Sequence, residues 1–216
     1  MNTLIIGANG QVGRILVEKM SKQQGVTPIA VIRKPEQKNF FDDLGVETRL
    51  IDLEDDIPAI EKAMDGIDAV VFTAGSGGST GADKTMLIDL DGAVKSIEAA
   101  RNQGIKRFVM VSSFDTSRAA IQEADSDFRP YVAAKHYADN VLRASDLDYT
   151  IVHPGILKSE AGSGKVTVKE TLDVAEVARE NIAEVLLNVL LNDNTIDKEF
   201  QVVNGHTDVA EAIKNI

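Results

Sequence analysis

The chain contains 216 residues, of which 44% are apolar and 26% charged, and its formal net charge at pH 7 is -11. This length suits one large α/β domain, and the acidic balance argues against nucleic acid or an anionic membrane as a partner. The sequence contains no cysteine, which excludes a disulfide framework and a thiolate nucleophile. It also shows no signal peptide and no apolar run of about 18 residues, so we expect an unprocessed cytoplasmic protein.

The first predicted element is a strand that runs into a glycine-rich turn and then a helix. An apolar run over 2–6 precedes Gly7, Gly10 and Gly13, after which apolar residues recur at helical spacing. Glycines let such a turn bend sharply and let a pyrophosphate approach the amides at the helix N-terminus. The G-x-x-G-x-x-G spacing is wider than the common dinucleotide fingerprint, so a Gly-rich turn without a ligand is the alternative to nucleotide binding.

Further strands and helices alternate along the rest of the chain. The predicted strands cover 27–32, 46–51, 68–73, 105–111, 149–152 and 199–203, and the predicted helices cover 36–44, 57–64, 83–102, 130–144, 174–189 and a stretch from 209. Continuously apolar strands in alternation with helices are typical of a parallel sheet covered on both faces. We therefore predict an α/β fold, a doubly wound parallel sheet of about seven strands flanked by helices.

We interpret residues 1–216 as a single domain, with a small substrate-side portion from about 154 to 216, because no internal repeat or linker-like stretch divides it. The Gly/Ser-rich stretch 74–81 follows the fourth strand, where open parallel sheets bind their ligands. A flexible loop without a role is the alternative for that stretch. The stretch 114–128 is polar and is predicted to be irregular.

A second pattern combines Tyr131, Lys135 and Ser113. Tyr131 and Lys135 lie four positions apart on a predicted helix and share one face of it, while Ser113 ends the fifth strand. A neighbouring cation lowers the pKa of a tyrosine toward neutral, which suits the phenol to proton exchange with a substrate. The Y-x-x-x-K spacing alone is common, so its functional interpretation depends on the glycine turn and the strand-end serine.

Together these motifs resemble the short-chain dehydrogenase/reductase superfamily. The shared features, in chain order, are the glycine turn, Asp52-Leu53, Thr73-Ala74-Gly75, Val111-Ser112-Ser113, Tyr131 with Lys135, and Pro154-Gly155. The wider glycine spacing and the short C-terminal region resemble the atypical, NmrA-like NAD(P)-binding branch, which is similar to bacterial epimerases or reductases and, more distantly, to biliverdin/flavin reductases. The resemblance implies a Rossmann fold over nearly the whole chain and a nicotinamide dinucleotide as cofactor.

The resemblance also implies a role for each matching residue. The residues that would surround the pyrophosphate, the adenine, the ribose and the nicotinamide end are Gly7, Asn9, Gly10, Gln11, Val12, Asp52, Leu53, Ala74, Gly75 and Pro154. Tyr131 would donate a proton, Lys135 would bind the ribose and activate Tyr131, and Ser113, with Ser112 in reserve, would bind the substrate carbonyl. Asp89 stands nearest to the position where the family often has an asparagine that supports the lysine through water.

The end of the second strand indicates which cofactor is preferred. NAD-binding relatives usually place Asp or Glu there to accept from the ribose 2′-hydroxyl, whereas a 2′-phosphate needs cations. Arg33 and Lys34 occupy that place, so we predict NADP(H) in preference to NAD(H). Two solvated charges that merely end a strand are the alternative.

Other residues are weaker candidates. His153, at a strand end, either reaches a substrate or is satisfied by backbone groups, and His136 is predicted to face solvent or a neighbouring helix. No spacing among His, Asp and Glu predicts a metal site. Apolar residues on the helices 83–102 and 130–144 form either a homodimer face or part of the core.

The predicted function is NADP(H)-dependent hydride transfer to a small-molecule substrate by an oxidoreductase of the short-chain type. One alternative is a regulatory protein that senses NADPH through the loops 75–82 and 114–128. Another is an epimerase or dehydratase of a nucleotide sugar with tightly held NAD, although the portion after Pro154 is small for such a substrate. The presence of both Tyr131 and Lys135 favours the enzyme over the sensor.

Overall fold

The computed structural model describes residues 1–78 and 80–216, so Ser79, part of the predicted loop 74–81, lies outside the described residues. The strands are β1 (Asn2–Ile6), β2 (Thr27–Ile32), β3 (Glu47–Leu50), β4 (Ala69–Phe72), β5 (Arg107–Val111), β6 (Asp148–Pro154), β7 (Ile156–Lys158), β8 (Lys165–Lys169), β9 (Glu176–Ala178), β10 (Lys198–Asn204) and β11 (Thr207–Asp208). The helices are α1 (Gln11–Ser21), α2 (Lys38–Asp42), α3 (Ile57–Lys62), α4 (Ala82–Lys84), a π-helical stretch (Thr85–Gly92), α5 (Ala93–Asn102), α6 (Arg118–Glu123), α7 (Arg129–Arg143), α8 (Arg179–Leu191) and α9 (Val209–Lys214).

Seven parallel strands form the body of the central sheet, in the order β10-β6-β5-β4-β1-β2-β3. This arrangement confirms the predicted doubly wound α/β fold. At the β10 edge, β8 pairs antiparallel to β10 and β11 pairs antiparallel to β8, so within the described residues the sheet has nine strands rather than about seven. A separate small sheet pairs β7 with β9.

The strand order reverses at β1, which pairs with β2 on one side and with β4 on the other. In an open parallel sheet, a crevice forms at the carboxyl ends of the strands at such a point. Gly7 follows β1 there, and Thr73 follows β4, with its backbone amide donating to the Ile6 carbonyl oxygen at 2.8 Å. The topology therefore places the glycine turn and the segment after β4 side by side.

Helices cover both faces of the sheet, which explains why the apolar run of β1 is continuous. Ile5 packs in the cluster that contains α1 and α8, whereas Leu4 and Ile6 pack on the opposite face with residues of α5 such as Ile97. These three β1 side chains are at most 1% exposed. The core therefore fixes β1 from both sides, and with it the position of the turn at its end.

The amphipathic segment predicted as a helix over 174–189 is partly extended. Glu176–Ala178 forms β9 and pairs with β7, and α8 begins at Arg179. The strand is favoured because β7 satisfies its backbone groups and Val177 is buried, whereas Val174, counted with the apolar helix face, is 64% exposed. The predicted helix is therefore wrong over 174–178.

Two other segments contain helical structure that the periodicity did not reveal. The stretch 114–128, predicted to be irregular, contains α6. The helix predicted over 83–102 contains the π-helical stretch Thr85–Gly92, and such turns are frequent at functional sites. A π turn departs from the ordinary spacing of about 3.6 residues. Asp89 is fully buried here and Thr85 and Ile88 are also buried, while Leu87, counted with the apolar helix face, is 40% exposed.

Candidate functional site

In the glycine turn between β1 and α1, Gly7 and Gly13 have no room for a side chain. Gly7 has a φ of +91°, and a Cβ there would lie 2.5 Å from the backbone nitrogen of Ala74. A Cβ on Gly13 would lie 2.3 Å from the Gly7 carbonyl oxygen. Gly7 therefore needs the conformational freedom of glycine, and Gly13 lets α1 approach the turn. The N-terminus of α1, with Gly10 as its N-cap, then faces the crevice as pyrophosphate binding requires.

A cavity of about 290 Å³ opens at this turn and follows the ends of β1 to β4. Eight of the predicted cofactor residues line it: Gly7, Asn9, Gly10, Arg33, Asp52, Leu53, Ala74 and Gly75. The wall also includes Thr73 and Ser76, which belong to segments noted in the sequence, and Gln37 and Ile88, which were not singled out from it. These residues fit a dinucleotide, because the glycine cradle accepts a phosphate and the apolar side chains beyond it accept an adenine ring.

Five predicted cofactor residues in the described part of the chain lie outside this cavity wall, namely Gln11, Val12, Lys34, Lys135 and Pro154. Gln11 and Val12 form the first turn of α1, where Val12 is buried. Lys34 is exposed, and Pro154 is buried at the end of β6. Gln11 and Val12 therefore remain next to the turn, whereas Lys34 does not line the cavity.

Arg14 is a cation beside the cavity that sequence reasoning missed. Its Nε and its terminal nitrogen donate to Asn9 Oδ1 at 3.1 and 2.6 Å, and its guanidinium carbon lies 4.6 Å from the centroid of the Phe40 ring. Arg33 lies in the wall itself, and its backbone amide donates to the Gln37 side chain at 2.8 Å. The position of Arg14 directly after the third glycine was the available sequence signal.

Tyr131 and Lys135 lie on one face of α7, and Asp89 faces Lys135 from the π-helical stretch. The side chains of Lys135 and Asp89 are 3% and 0% exposed, and 3.6 Å separates the Lys135 Nζ from the Asp89 Oδ1. The same Nζ lies 5.8 Å from the Tyr131 ring centroid and donates to the Val111 carbonyl oxygen at 3.4 Å. The Ser76 amide donates to Asp89 at 2.9 Å, so this carboxylate connects Lys135 to the wall of the cavity.

The surroundings of Tyr131 raise the pKa of its phenol above the ordinary value of 10.0. Burial is the largest cause; Lys135 lowers the pKa, the carboxylates of Asp89 and Asp139 raise it, and Ser113 lowers it least. The expectation that Lys135 brings this pKa toward neutral was therefore wrong for the protein without cofactor, because burial outweighs the cation. The phenol is protonated at neutral pH, which is the form that donates a proton.

A second buried carboxylate, Asp139, lies four positions after Lys135 on the same face of α7. Its side chain is 0% exposed, and its Oδ2 accepts from the Ser112 hydroxyl at 2.8 Å and from the Thr116 hydroxyl at 2.7 Å. Ser112, held in reserve as a substrate ligand, is therefore turned into the protein interior. Ser113 is half-buried and closer to Tyr131, whose pKa it influences.

The two histidines considered from the sequence both contact the segment that follows β5. The Nδ1 of His153 lies 2.6 Å from the Ser113 carbonyl oxygen, so one of its two ring nitrogens contacts the backbone as predicted. The Nδ1 of His136 lies 2.6 Å from the Thr116 carbonyl oxygen. His136 therefore binds a loop, where a solvent-facing or helix-facing side chain was predicted.

Two other kinds of site are absent from the described part of the chain. Residues 1–78 and 80–216 contain no group of three or more His, Asp or Glu side chains placed to hold a metal ion. In the same residues, no helix has both the length and the apolar content needed to span a bilayer.

The fold and the position of the cavity define a class: NAD(P)-binding Rossmann proteins of the short-chain dehydrogenase/reductase type. The sequence matches the profile of the NAD(P)H-binding family over residues 7–193, and the chain belongs to that family. The resemblance to the atypical branch of the superfamily is thereby confirmed.

Several relatives are similar over nearly the full length of this chain. The uncharacterised sugar epimerase YhfK of Bacillus subtilis is 44% identical over 217 residues, with 100% of both chains covered. A solved structure from Bacillus halodurans, described as a candidate NAD-dependent epimerase/dehydratase, is 41% identical, with a TM-score of 0.93 and 100% of both chains covered. The oxidoreductase ylbE from Lactococcus lactis is 28% identical with a TM-score of 0.88, over 100% of this chain and 96% of its own.

Proposed function

We propose that the protein is an NADP(H)-dependent oxidoreductase that transfers hydride to a carbonyl carbon of a small molecule. The observation that carries this proposal is the buried Lys135 and Asp89 pair, which lies between Tyr131 and the wall of the dinucleotide cavity. Membership of the NAD(P)H-binding family supports the cofactor class. Tyr131 supplies the acidic group that reduction of a carbonyl needs.

Each residue of the proposed site has a physical task. The cofactor, when bound, supplies the hydride, and the glycine turn with the N-terminus of α1 binds its pyrophosphate. Tyr131 donates its phenolic proton to the substrate oxygen, and the raised pKa keeps that proton available at neutral pH. Ser113 orients the same oxygen by a hydrogen bond. Lys135 stabilises the phenolate that forms after proton transfer.

The proposal includes a preference for NADP(H) over NAD(H). Arg33 lies in the cavity wall at the end of β2, and Arg14 is fixed beside Asn9 and Phe40. Guanidinium groups bind phosphate through paired hydrogen bonds, so these two side chains are suited to the 2′-phosphate of the adenosine ribose. Lys34, outside the wall, has a smaller role than Arg33.

The test of the proposed function is a cofactor-oxidation screen of the purified full chain. NADPH is mixed with flavins, quinones, aldehydes and linear tetrapyrroles, and loss of the reduced nicotinamide absorbance is followed. We expect NADPH to bind to the protein and to be oxidised by at least one of these classes. Failure of NADPH to bind, or binding without oxidation by any class, would count against the reductase.

A second candidate is epimerisation, which the names of the 44% and 41% identical relatives favour. The same groups would serve it, because an epimerase oxidises and then reduces its substrate with one cofactor molecule. The two reactions differ in net consumption of cofactor. A reductase uses one NADPH for each product, whereas an epimerase forms product while the nicotinamide absorbance stays constant.

A further inference from the structure

A larger groove lies on the α7 side of the sheet edge, apart from the dinucleotide cavity. Its volume is about 700 Å³, and it is bounded by α7, by the segment after β5 and by β10. His153, which is 6% exposed, and Glu199 form part of its floor. The proposed hydride transfer assigns no task to these two titratable groups.

Side chains of this groove hold the segment that carries Ser113. The Nδ1 of His153 lies 2.6 Å from the Ser113 carbonyl oxygen. Gln201 Nε2 donates to the Phe114 carbonyl oxygen at 2.7 Å. Farther along, His136 Nδ1 lies 2.6 Å from the Thr116 carbonyl oxygen. These contacts lie directly after the end of β5. They therefore fix the backbone conformation that positions the Ser113 hydroxyl.

The two ring nitrogens of His153 both face acceptors. Nδ1 faces the Ser113 carbonyl oxygen, and Nε2 lies 3.5 Å from the Glu199 Oε2. A neutral imidazole has one N–H and can satisfy one acceptor, whereas an imidazolium has two. Arg143 donates to the same Oε2 at 2.7 Å and holds the carboxylate in place. The geometry therefore favours the imidazolium form, even though the ring is buried.

The charges around His153 act in the same direction. Burial lowers the pKa of His153, but the hydrogen bond to Glu199, the charge of Asp139 and the Ser113 carbonyl outweigh it, so the pKa lies above the ordinary 6.5. The hydrogen bond with His153 is in turn the largest cause that lowers the pKa of Glu199 from 4.5 to about 2. The other charged or titratable side chains lining the groove are Asp115, His136, Arg143, Glu170, Asp197 and Lys198.

We propose that His153, as an imidazolium held by Glu199, is a positioning residue for Ser113 and makes the binding of a substrate carbonyl sensitive to pH. The inference rests on the proposed function, in which Ser113 binds the substrate oxygen. Loss of a proton leaves the ring with one donor for two acceptors, and the charge-assisted hydrogen bonds are lost. The segment 113–116 then loosens as the pH rises through the raised pKa of His153.

The test is nuclear magnetic resonance of the full chain without cofactor, labelled with 15N in its three histidines and with 13C at the Ser113 carbonyl. The ring signals are assigned with His136→Gln and His206→Gln. In the wild-type protein we expect both nitrogens of His153 to be protonated at pH 6.5 and the Ser113 carbonyl shift to follow the His153 titration. In Glu199→Gln, the midpoints of the His153 ring titration and of the Ser113 carbonyl shift should both fall by about one pH unit or more. The reason is that a nearby opposite charge raises the pKa of a cation by about that amount.

Glu176→Gln is the matched control, because Glu176 forms an exposed ion pair with Lys158 at 2.8 Å and should leave both titrations unchanged. A neutral His153 ring at pH 6.5, or a Ser113 carbonyl shift that does not follow the ring, would overturn the inference. The wild-type titration decides this even where Glu199→Gln fails to fold. This experiment measures no turnover. A failure of the protein to oxidise NADPH in the cofactor-oxidation screen would therefore count against the proposed function without affecting the interpretation of the His153 titration.

Discussion

Asp89 is the residue at which this chain departs from the asparagine that its superfamily often places near the active-site lysine. It brings a full negative charge to within 3.6 Å of the Lys135 ammonium in a fully buried position. That charge raises the pKa of Tyr131, whereas Lys135 lowers it. Asp89 therefore moderates the effect of the lysine on the phenol and also anchors the Ser76 amide.

The substitution Asp89→Asn should shift the alkaline limit of activity to lower pH. Loss of the carboxylate lowers the Tyr131 pKa, and a proton donor is lost as the pH rises through its pKa. The variant should also unfold more easily, because removing one partner of a buried ion pair costs about 3–5 kcal/mol. The pH profile of NADPH oxidation and thermal unfolding measure both effects.

Asp91→Asn is the control for this experiment, since Asp91 lies on the same helical segment and pairs with Lys95 at 2.9 Å with a side chain 52% exposed. Its pH profile should match that of the wild-type protein. If Asp89→Asn also retained the wild-type profile, the assigned influence of Asp89 on Tyr131 would be wrong.

Arg33→Ser and Arg14→Ser should each weaken NADPH binding while leaving NADH binding nearly unchanged. Hydrogen bonds to a charged group contribute about 1.5–3 kcal/mol, which corresponds to roughly tenfold or more in affinity. Lys34→Ser should have a smaller effect, because Lys34 lies outside the cavity wall. Calorimetric titration of each variant with both cofactors measures the selectivity. Equal losses for NADH and NADPH would show that these arginines do not recognise a 2′-phosphate.

At the scale of single elements, the glycine turn should not tolerate added atoms at Gly7 or Gly13. Gly13→Ala would place a Cβ 2.3 Å from the Gly7 carbonyl oxygen, so α1 must move away from the turn. We expect a loss of about 1–3 kcal/mol of stability, as for other overpacked sites, together with loss of dinucleotide binding. Thermal unfolding and NADPH titration measure these two quantities.

Gly78→Ala supplies the comparison for the turn, because a Cβ at Gly78 meets no heavy atom within 4 Å among residues 1–76 and 80–216. That variant should bind NADPH as the wild-type protein does. Unimpaired NADPH binding by Gly13→Ala would contradict the assignment of the turn as the pyrophosphate site.

At the scale of the whole molecule, the Glu199 and His153 pair should make stability depend on pH in two places. The Glu199 pKa is lowered from 4.5 to about 2, so its contribution is complete above about 4.5 and is lost as the pH falls through about 2. The His153 pKa is raised above 6.5, so its contribution is complete below 6.5 and is lost as the pH rises through the raised value. The destabilisation by Glu199→Gln should therefore be largest between pH 4.5 and 6.5.

Urea unfolding of the wild-type protein and Glu199→Gln at pH 5.5 and pH 9 checks this prediction. A difference between the two proteins that is larger at pH 9 would contradict it. Glu176→Gln, which removes an exposed ion pair, should show no such dependence.

Local signals explain which parts of the molecule could be predicted from the sequence. The strand, the turn and the helix at the N-terminus follow from apolar runs and glycine spacing within 20 residues, and their contacts in the core agree with that pattern. The parallel topology then brings the carboxyl ends of β1 to β4 together at the switch point, and no further sequence signal is needed to predict this. For this reason eight predicted cofactor residues line one cavity.

Contacts between distant residues explain what could not be predicted. Ser112 and Asp139 are 27 positions apart, and His153 and Glu199 are 46 apart, so their pairing appears only once the sheet and α7 are assembled. The burial that raises the Tyr131 pKa likewise depends on tertiary packing rather than on the spacing to Lys135. The π-helical stretch that orients Asp89 toward Lys135 has no signature in ordinary helical periodicity.

The most direct test of the central claim compares Tyr131→Phe with Tyr137→Phe, an exposed tyrosine on the same helix. NADPH affinity and the rate of NADPH oxidation are measured for both variants with a substrate found in the screen. We expect Tyr131→Phe to bind NADPH normally and to lose about 10²–10⁴-fold in rate, as removal of a general acid does, while Tyr137→Phe behaves as wild type. An unchanged rate in Tyr131→Phe would contradict the proposed mechanism.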